Sequence, residues 1–217
     1  MKRFERLRAW VFDLDNTLYP PHMRLFDQIE VKMNSFVMNT LGIGHAEADE
    51  MRSLYWREHG TTLAGLMQNH GVDPVAYMDE VHDISFDALE PDPHLAELIA
   101  ALPGRRIVYT NGSAPYAARV LKARGLSDAF DAIYGVEHAD YLPKPHASAF
   151  DRIFALDGLH PAEAVMFEDD SRNLEVPHAL GMTTVHVAPE PAPAEHIHHH
   201  TDNLTAFLKK VSKYTGG

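Results

Sequence analysis

The chain carries five short apolar runs: Ala9-Trp10-Val11-Phe12, Arg106-Ile107-Val108-Tyr109, Ala132-Ile133-Tyr134, Ala164-Val165-Met166-Phe167 and Thr183-Thr184-Val185-His186. Most lack in/out alternation and carry β-branched or aromatic residues, the pattern of strands buried on both faces. Between the later runs, apolar positions recur at helical spacing. Ser113 to Ala123 presents Ala117, Val120 and Leu121 with Gly125 as a stop, and His146 to Leu156 presents Ala149, Phe150, Ile153 and Phe154. Strands alternating with helices predict an α/β fold, a Rossmann-like doubly wound parallel sheet with crossover helices on both faces.

One interval breaks that rhythm. From about His22 to Leu89 the periodicity is helical and no strand pattern occurs. Phe26, Ile29, Met33, Phe36 and Val37 form one stripe, and Met51, Leu54 and Tyr55 another. Leu63, Leu66 and Met67 follow, then Val75, Met78 and Val81. These stripes predict an inserted α-helical subdomain over residues 21–89, with the α/β core made of residues 1–20 and 90–217. The Met and aromatic positions read as the core of that subdomain, not as a cofactor box. The α/β pattern resumes near Pro93, where Asp92 can cap a helix running to Leu102.

A proline-dense stretch, Ala188-Pro189-Glu190-Pro191-Ala192-Pro193-Ala194-Glu195, reads as an extended connector. His196-Ile197-His198-His199-His200 follows it. Imidazoles bind transition metals, but no partners stand at fixed spacing, so a surface loop is expected. Thr201 to Leu208 continues as a capped amphipathic helix.

Composition narrows the function classes. The 217 residues suffice for one domain carrying a sizeable insertion, and 45% hydrophobic with 23% charged residues excludes bulk disorder. No apolar run approaches a bilayer span, and no signal-like segment is seen. With no cysteine, a disulfide framework is impossible, and a reducing cytoplasm is the expected location. The formal net charge is −12, which would repel a polyanion, and no basic stripe offsets it. Nucleic-acid and membrane partners are therefore not expected. A small ligand is, because a local site can reverse the global sign.

The candidate chemistry sits where the apolar runs end. The first run leads into Asp13-Leu14-Asp15-Asn16-Thr17, the second into Thr110-Asn111-Gly112-Ser113, and the fourth into Glu168-Asp169-Asp170-Ser171. Lys144-Pro145 lies in the loop beyond the third. Ligands of open α/β sheets bind outside the carboxyl ends of strands, where the winding reverses, so these groups should converge on one crevice. Asp13, Asp15, Asp169 and Asp170 would repel one another there without a cation. Hard oxygen donors without His or Cys specify Mg²⁺ over zinc. Lys144 adds positive charge and Thr110 a hydroxyl donor, a combination suited to a phosphoryl group in transit. Singly, each signal has a plainer reading as a turn, a helix cap or a solvated lysine. Their joint occurrence, in order and at strand ends, points to one site.

Asp13-x-Asp15-x-Thr17, then Thr110, Lys144 and Asp169-Asp170 resemble the four motifs of the haloacid dehalogenase superfamily of phosphohydrolases, and the resemblance spans nearly the whole chain. It implies that Asp13 attacks phosphorus to form an aspartyl phosphate, and that Asp15 serves as acid and then base. Thr110, Asn111 and Lys144 would hold the phosphoryl group. Mg²⁺ would be held by Asp13, the backbone carbonyl of Asp15, and Asp170, with Asp169 next to it or behind a water; the resemblance leaves the choice of direct ligand between these two open. The superfamily's dehalogenases generally lack the second aspartate, so Asp15 favours phosphoryl chemistry. The helical insertion resembles the family's cap, which closes over the crevice.

Tyr55 to Met67, His70-Gly71-Val72-Asp73-Pro74, Val81-His82-Asp83-Ile84, Pro91-Asp92-Pro93, Tyr109 to Gly112 and Phe167 to Leu174 are similar to the pyrimidine 5′-nucleotidase branch. That similarity implies a small phosphomonoester substrate, foremost a pyrimidine nucleoside 5′-monophosphate. The alternatives are a sugar-phosphate phosphatase or phosphoglucomutase-like enzyme on the same core, or a non-catalytic binding or regulatory member. The oligomeric state is left open.

Overall fold

The computed structural model describes residues 2–215. Six strands, β1 (Ala9–Phe12), β2 (Arg105–Tyr109), β3 (Ala132–Tyr134), β4 (Ala164–Glu168), β5 (Thr183–Val187) and β6 (His199–Thr201), form one sheet in the order β3-β2-β1-β4-β5-β6. Every pairing is parallel. β1 is central, with Ala9 opposite Arg105 on one side and Ala164 on the other.

The absence of alternation has the expected cause. Trp10, Phe12, Val165 and Phe167 join one apolar cluster, while Ala9, Val11, Ala164 and Met166 join a second on the opposite face. Both sets are buried, so both faces must be apolar. Phe12 and Phe167 stack across the β1–β4 pair at 4.5 Å. On the first face lie α5 (Pro93–Ala100), α6 (Ala114–Ala123) and α9 (Leu204–Thr215), through Ile99, Val120 and Leu208 among others; α7 (Ala147–Asp157) covers the second through Phe150 and Ile153. The short α8 (Glu175–Ala179) follows β4. The cap read from the sequence at Asp92 is in place, accepting from the Leu95 amide at 2.9 Å, and Ser113 likewise accepts from the Tyr116 amide at 3.4 Å.

The histidine-rich stretch departs from the surface-loop expectation. His199–Thr201 is an edge strand, with His199 opposite Val185 and Thr201 opposite Val187. Thr184, inside β5, donates to the His196 carbonyl at 2.6 Å and accepts from the His198 amide at 3.1 Å. An edge strand is held by backbone bonds and such docking contacts, so it needs no apolar pattern of its own. That is why hydrophobic periodicity missed it. Residues 188–195 form neither helix nor strand, as expected of a connector.

Between β1 and β2 the chain forms α1 (Leu25–Leu41), α2 (His45–His59), α3 (Thr62–His70) and α4 (Pro74–Val81), followed by α5. Most of the apolar stripes are buried or partly buried here, but Leu54 and Val75 are 38% and 53% exposed. Helical spacing locates a stripe without fixing how wide a face the neighbours cover. α2 and α3 approach so closely that a Cβ on Gly65 would overlap the ring of buried Tyr55. Arg124, on the α6 C-terminus, ties the two crossings between insertion and core. It donates to the carbonyls of Leu18 and Glu90 and to the Asp92 carboxylate. Just after α4, His82 stacks face-on against Tyr116 of α6, with ring centres 4.1 Å apart.

Two stability predictions follow from these contacts. Gly65→Ala forces α3 away from Tyr55 and should cost about 1–3 kcal/mol, read from chemical or thermal denaturation. His82 is buried, and burial, followed by the nearby Arg119 charge, pushes its pKa down to about 3. The unfolded chain therefore binds a proton that the folded chain excludes. This contribution to stability is full above the unfolded value of about 6.5 and is lost as pH falls toward the folded value. His82→Phe, which keeps an aromatic ring on Tyr116, should remove up to one proton of that slope, about 1.4 kcal/mol per pH unit, in urea titrations spanning that acid range.

Candidate active site

The strand order sets where chemistry is possible. The chain winds outward from β1 through β2 to β3, then crosses back to place β4 on the other side of β1. At such a reversal the connections diverge and leave a crevice at the carboxyl ends of the central strands. The Asp13 amide donates to the Phe167 carbonyl at 2.9 Å, carrying the β1–β4 ladder one residue past the strand and setting the Asp13 carboxylate beside the end of β4. The chain then turns, with Asn16 in the left-handed region at φ 59°. This turn brings the Asn16 side-chain amide within 3.2 Å of the Asp169 carboxylate, to which it donates.

Lys144 lies at the centre and is 1% exposed. Its ammonium donates to Asp13 Oδ1 at 2.8 Å, Glu168 Oε2 at 2.6 Å and the Tyr109 carbonyl at 3.1 Å, so all three N–H groups are used. Burial alone would lower its pKa, but the charges of Asp13 and Glu168 override this and hold it above the ordinary lysine value. Asn111 fixes the lysine backbone. Its Oδ1 accepts from the Lys144 amide at 2.8 Å and its Nδ2 donates to the Lys144 carbonyl at 3.1 Å. The Thr110 hydroxyl accepts from the Gly112 amide at 2.9 Å, leaving its proton free for an anion.

The carboxylates divide into two groups. Asp13, Glu168 and Asp169 each offer an oxygen, and these oxygens all lie within 4.8 Å of one another. Burial, then repulsion from Glu168, pushes the Asp13 pKa up to about 7 even with Lys144 opposing. Burial, then Asp13 and Glu168, raises Asp169 well above the usual carboxylate range. One ammonium cannot balance three clustered carboxylates, and an all-oxygen donor set suits a hard divalent cation such as Mg²⁺. Asp170 faces elsewhere. Its carboxylate accepts from Arg172 Nη2 at 2.6 Å and from the Arg172 amide at 3.0 Å, and the Arg172 guanidinium in turn lies 3.5 Å from the centre of the Trp56 ring on α2. Asp15 accepts two phenolic hydrogen bonds, from Tyr19 at 2.7 Å and Tyr116 at 2.6 Å. Burial, then Asp13, raises its pKa to about 6.

Asp13, Asp15, Thr110, Asn111, Lys144, Asp169 and Asp170 all line one crevice of about 1310 Å³, with Trp56, Arg57 and Thr61 of the helical insertion on its wall. Sequence reasoning passed over Glu168, which it took as the first residue beyond the fourth run and which is the buried last residue of β4. It also passed over His186, whose Nε2 donates to the Asp169 carbonyl at 2.8 Å, and over Tyr19 and Tyr116. Glu168 had a signal in its acidic run. The other three look like ordinary core residues in a linear reading.

Removing the central cation gives a direct check. Lys144→Met leaves Asp13 and Glu168 buried without their counter-ion, and should cost about 3–5 kcal/mol in denaturant titrations.

Comparison with known proteins agrees with this geometry. A family model described as hydrolase, haloacid dehalogenase-like hydrolase, matches residues 7–181. Phosphate metabolism protein 8 of Saccharomyces cerevisiae is 28% identical over 195 residues, covering 83% of this chain; the chain spans only 60% of that protein's length. Phosphoglycolate phosphatase of Yersinia pestis is 30% identical over 185 residues, covering 80% of this chain and 77% of that protein. Among solved structures, the HAD-hydrolase YfnB of Bacillus subtilis bound to magnesium shares the fold, with a TM-score of 0.61 and 16% identity over 95% of this chain and 99% of that one. With its doubly wound sheet, strand-end acids and a family match over most of its length, this chain belongs to the haloacid dehalogenase-like hydrolases.

Proposed function

We propose that this chain is a Mg²⁺-dependent phosphatase of small phosphomonoesters, with pyrimidine nucleoside 5′-monophosphates as the foremost substrates. The observation that carries the reading is the buried Asp13–Lys144–Glu168–Asp169 cluster at the floor of a crevice that also holds Thr110 and Asp15. Asp13 and Asp169, with the Asp15 backbone carbonyl, would hold the metal. When bound, Mg²⁺ supplies the positive charge that lets an anionic phosphoryl group approach these carboxylates.

The chain's own groups do the rest. Lys144 holds Asp13 Oδ1, which leaves Oδ2 to attack phosphorus. As the Asp13–phosphorus bond forms and the ester bond breaks, Asp15 gives its proton to the leaving oxygen. Water then attacks the aspartyl phosphate while Asp15 takes a proton from it, releasing phosphate and restoring Asp13. Thr110 and Lys144 position the transferring group, and Asn111 keeps Lys144 in place. Residues 21–89 act as a cap that excludes water, with Arg172 between Trp56 and Asp170 as a contact across the seam.

The nucleotide assignment is supported by the sequence similarity around Tyr55 to Met67 and Phe167 to Leu174, and by a crevice roomy enough for a nucleoside. Its test is a phosphate-release screen over nucleoside, sugar and glycolate monophosphates, with Mg²⁺ and with a chelator. UMP and CMP should rank among the preferred substrates, and chelation should abolish turnover. A preference for phosphoglycolate or a sugar phosphate would overturn the nucleotide assignment and leave the phosphatase chemistry standing. Asp13→Asn should release no phosphate, and turnover by that variant would sink the covalent mechanism. Asp15→Asn should lower kcat by about 10²–10⁴-fold.

A further inference from the structure

Two buried tyrosines converge on a single oxygen. The Tyr19 and Tyr116 hydroxyls both donate to Asp15 Oδ1, at 2.7 and 2.6 Å. Tyr19 is 1% exposed and Tyr116 is fully buried. They come from separate elements. Tyr19 ends the turn after β1, while Tyr116 sits in the first turn of α6, its amide capped by Ser113 and its ring stacked on His82. Burying a hydroxyl carries a desolvation cost that Phe would avoid, so packing alone does not account for two phenols here.

A carboxylate oxygen has two acceptor sites, and on Asp15 Oδ1 both are filled. Asp15 Oδ2 accepts no bond from any described residue. We propose that Tyr19 and Tyr116 are positioning residues for proton transfer: together they fix the Asp15 carboxyl and leave Oδ2 as the oxygen that exchanges the proton with substrate. The proposal rests on the reading of Asp15 as acid and base. In the first half-reaction the proton leaves Oδ2 for the ester oxygen as the phosphorus–oxygen bond breaks and the Asp13–phosphorus bond forms. In the second it returns to Oδ2 from the attacking water. Burial and the Asp15 charge push both phenols well above their ordinary pKa, so they remain O–H donors throughout. Neither phenol takes part in the transfer.

The arrangement makes a prediction that depends on the leaving group. An alkoxide needs a proton as it departs, whereas p-nitrophenolate does not. Tyr19→Phe and Tyr116→Phe keep the rings and remove only the hydroxyls. Single-turnover release should be measured for p-nitrophenyl phosphate and for UMP, or for the best alkyl monophosphate in the screen above. Each variant should lose about 10-fold or more on the alkyl ester, with the double variant approaching the loss of Asp15→Asn, while p-nitrophenolate release stays within about threefold of wild type. Equal losses on both esters, or no loss on either, would overturn the positioning role. Asp15→Asn separates the two levels of the argument. If it too affects both esters equally, the acid–base reading fails, and the positioning role with it. If only Asp15→Asn is selective, the tyrosines are structural. Should Tyr116→Phe fail to fold, Tyr19→Phe carries the same test.

Discussion

A single buried ammonium organises this molecule. Lys144 gives its three N–H groups to Asp13, Glu168 and the Tyr109 carbonyl, and so joins the ends of β1, β4 and β2. Charges so deeply buried persist only with partners at hydrogen-bond distance, which makes their geometry stiff. The remainder of the site follows from this constraint. Asn111 clamps the lysine backbone, Asn173 donates to the second Glu168 oxygen at 3.2 Å, and Asn16 and His186 hold Asp169 by its carboxylate and its carbonyl.

The charge balance also bears on how an acidic chain would handle the proposed anionic ligand. Three clustered carboxylates exceed what one lysine can neutralise, and burial, followed by their mutual repulsion, raises the pKa values of Asp13 and Asp169. A hard divalent cation held there, as proposed, would remove that excess and let an anionic phosphate approach. Asp170 stands apart from this balance. Bound by Arg172, which also stacks on Trp56, it links the loop after β4 to the wall of the helical insertion.

Much of this was readable along the chain. Doubly buried strands need apolar residues at consecutive positions, so β1 to β5 announced themselves in composition. Helix caps are local, and Asp92 acts where its sequence context placed it. All seven residues singled out at strand ends or in the loop beyond β3 line one crevice, because parallel topology sends every strand's carboxyl end to the same side. The sixth strand was not readable, since its edge pairing rests on backbone groups and on Thr184.

What the sequence determined by itself, then, is the class of fold and the inventory of chemical groups, because both depend on local pattern and on the order of elements. Only the tertiary structure decided how those groups are shared out. Asp169 lies beside Asp13 while its neighbour Asp170 turns to Arg172, although the two are chemically identical and adjacent. Glu168 pairs with a lysine from a distant loop, and Asp15 meets a tyrosine 101 positions away. Such pairings depend on distances between elements far apart in the chain, which no spacing along it encodes.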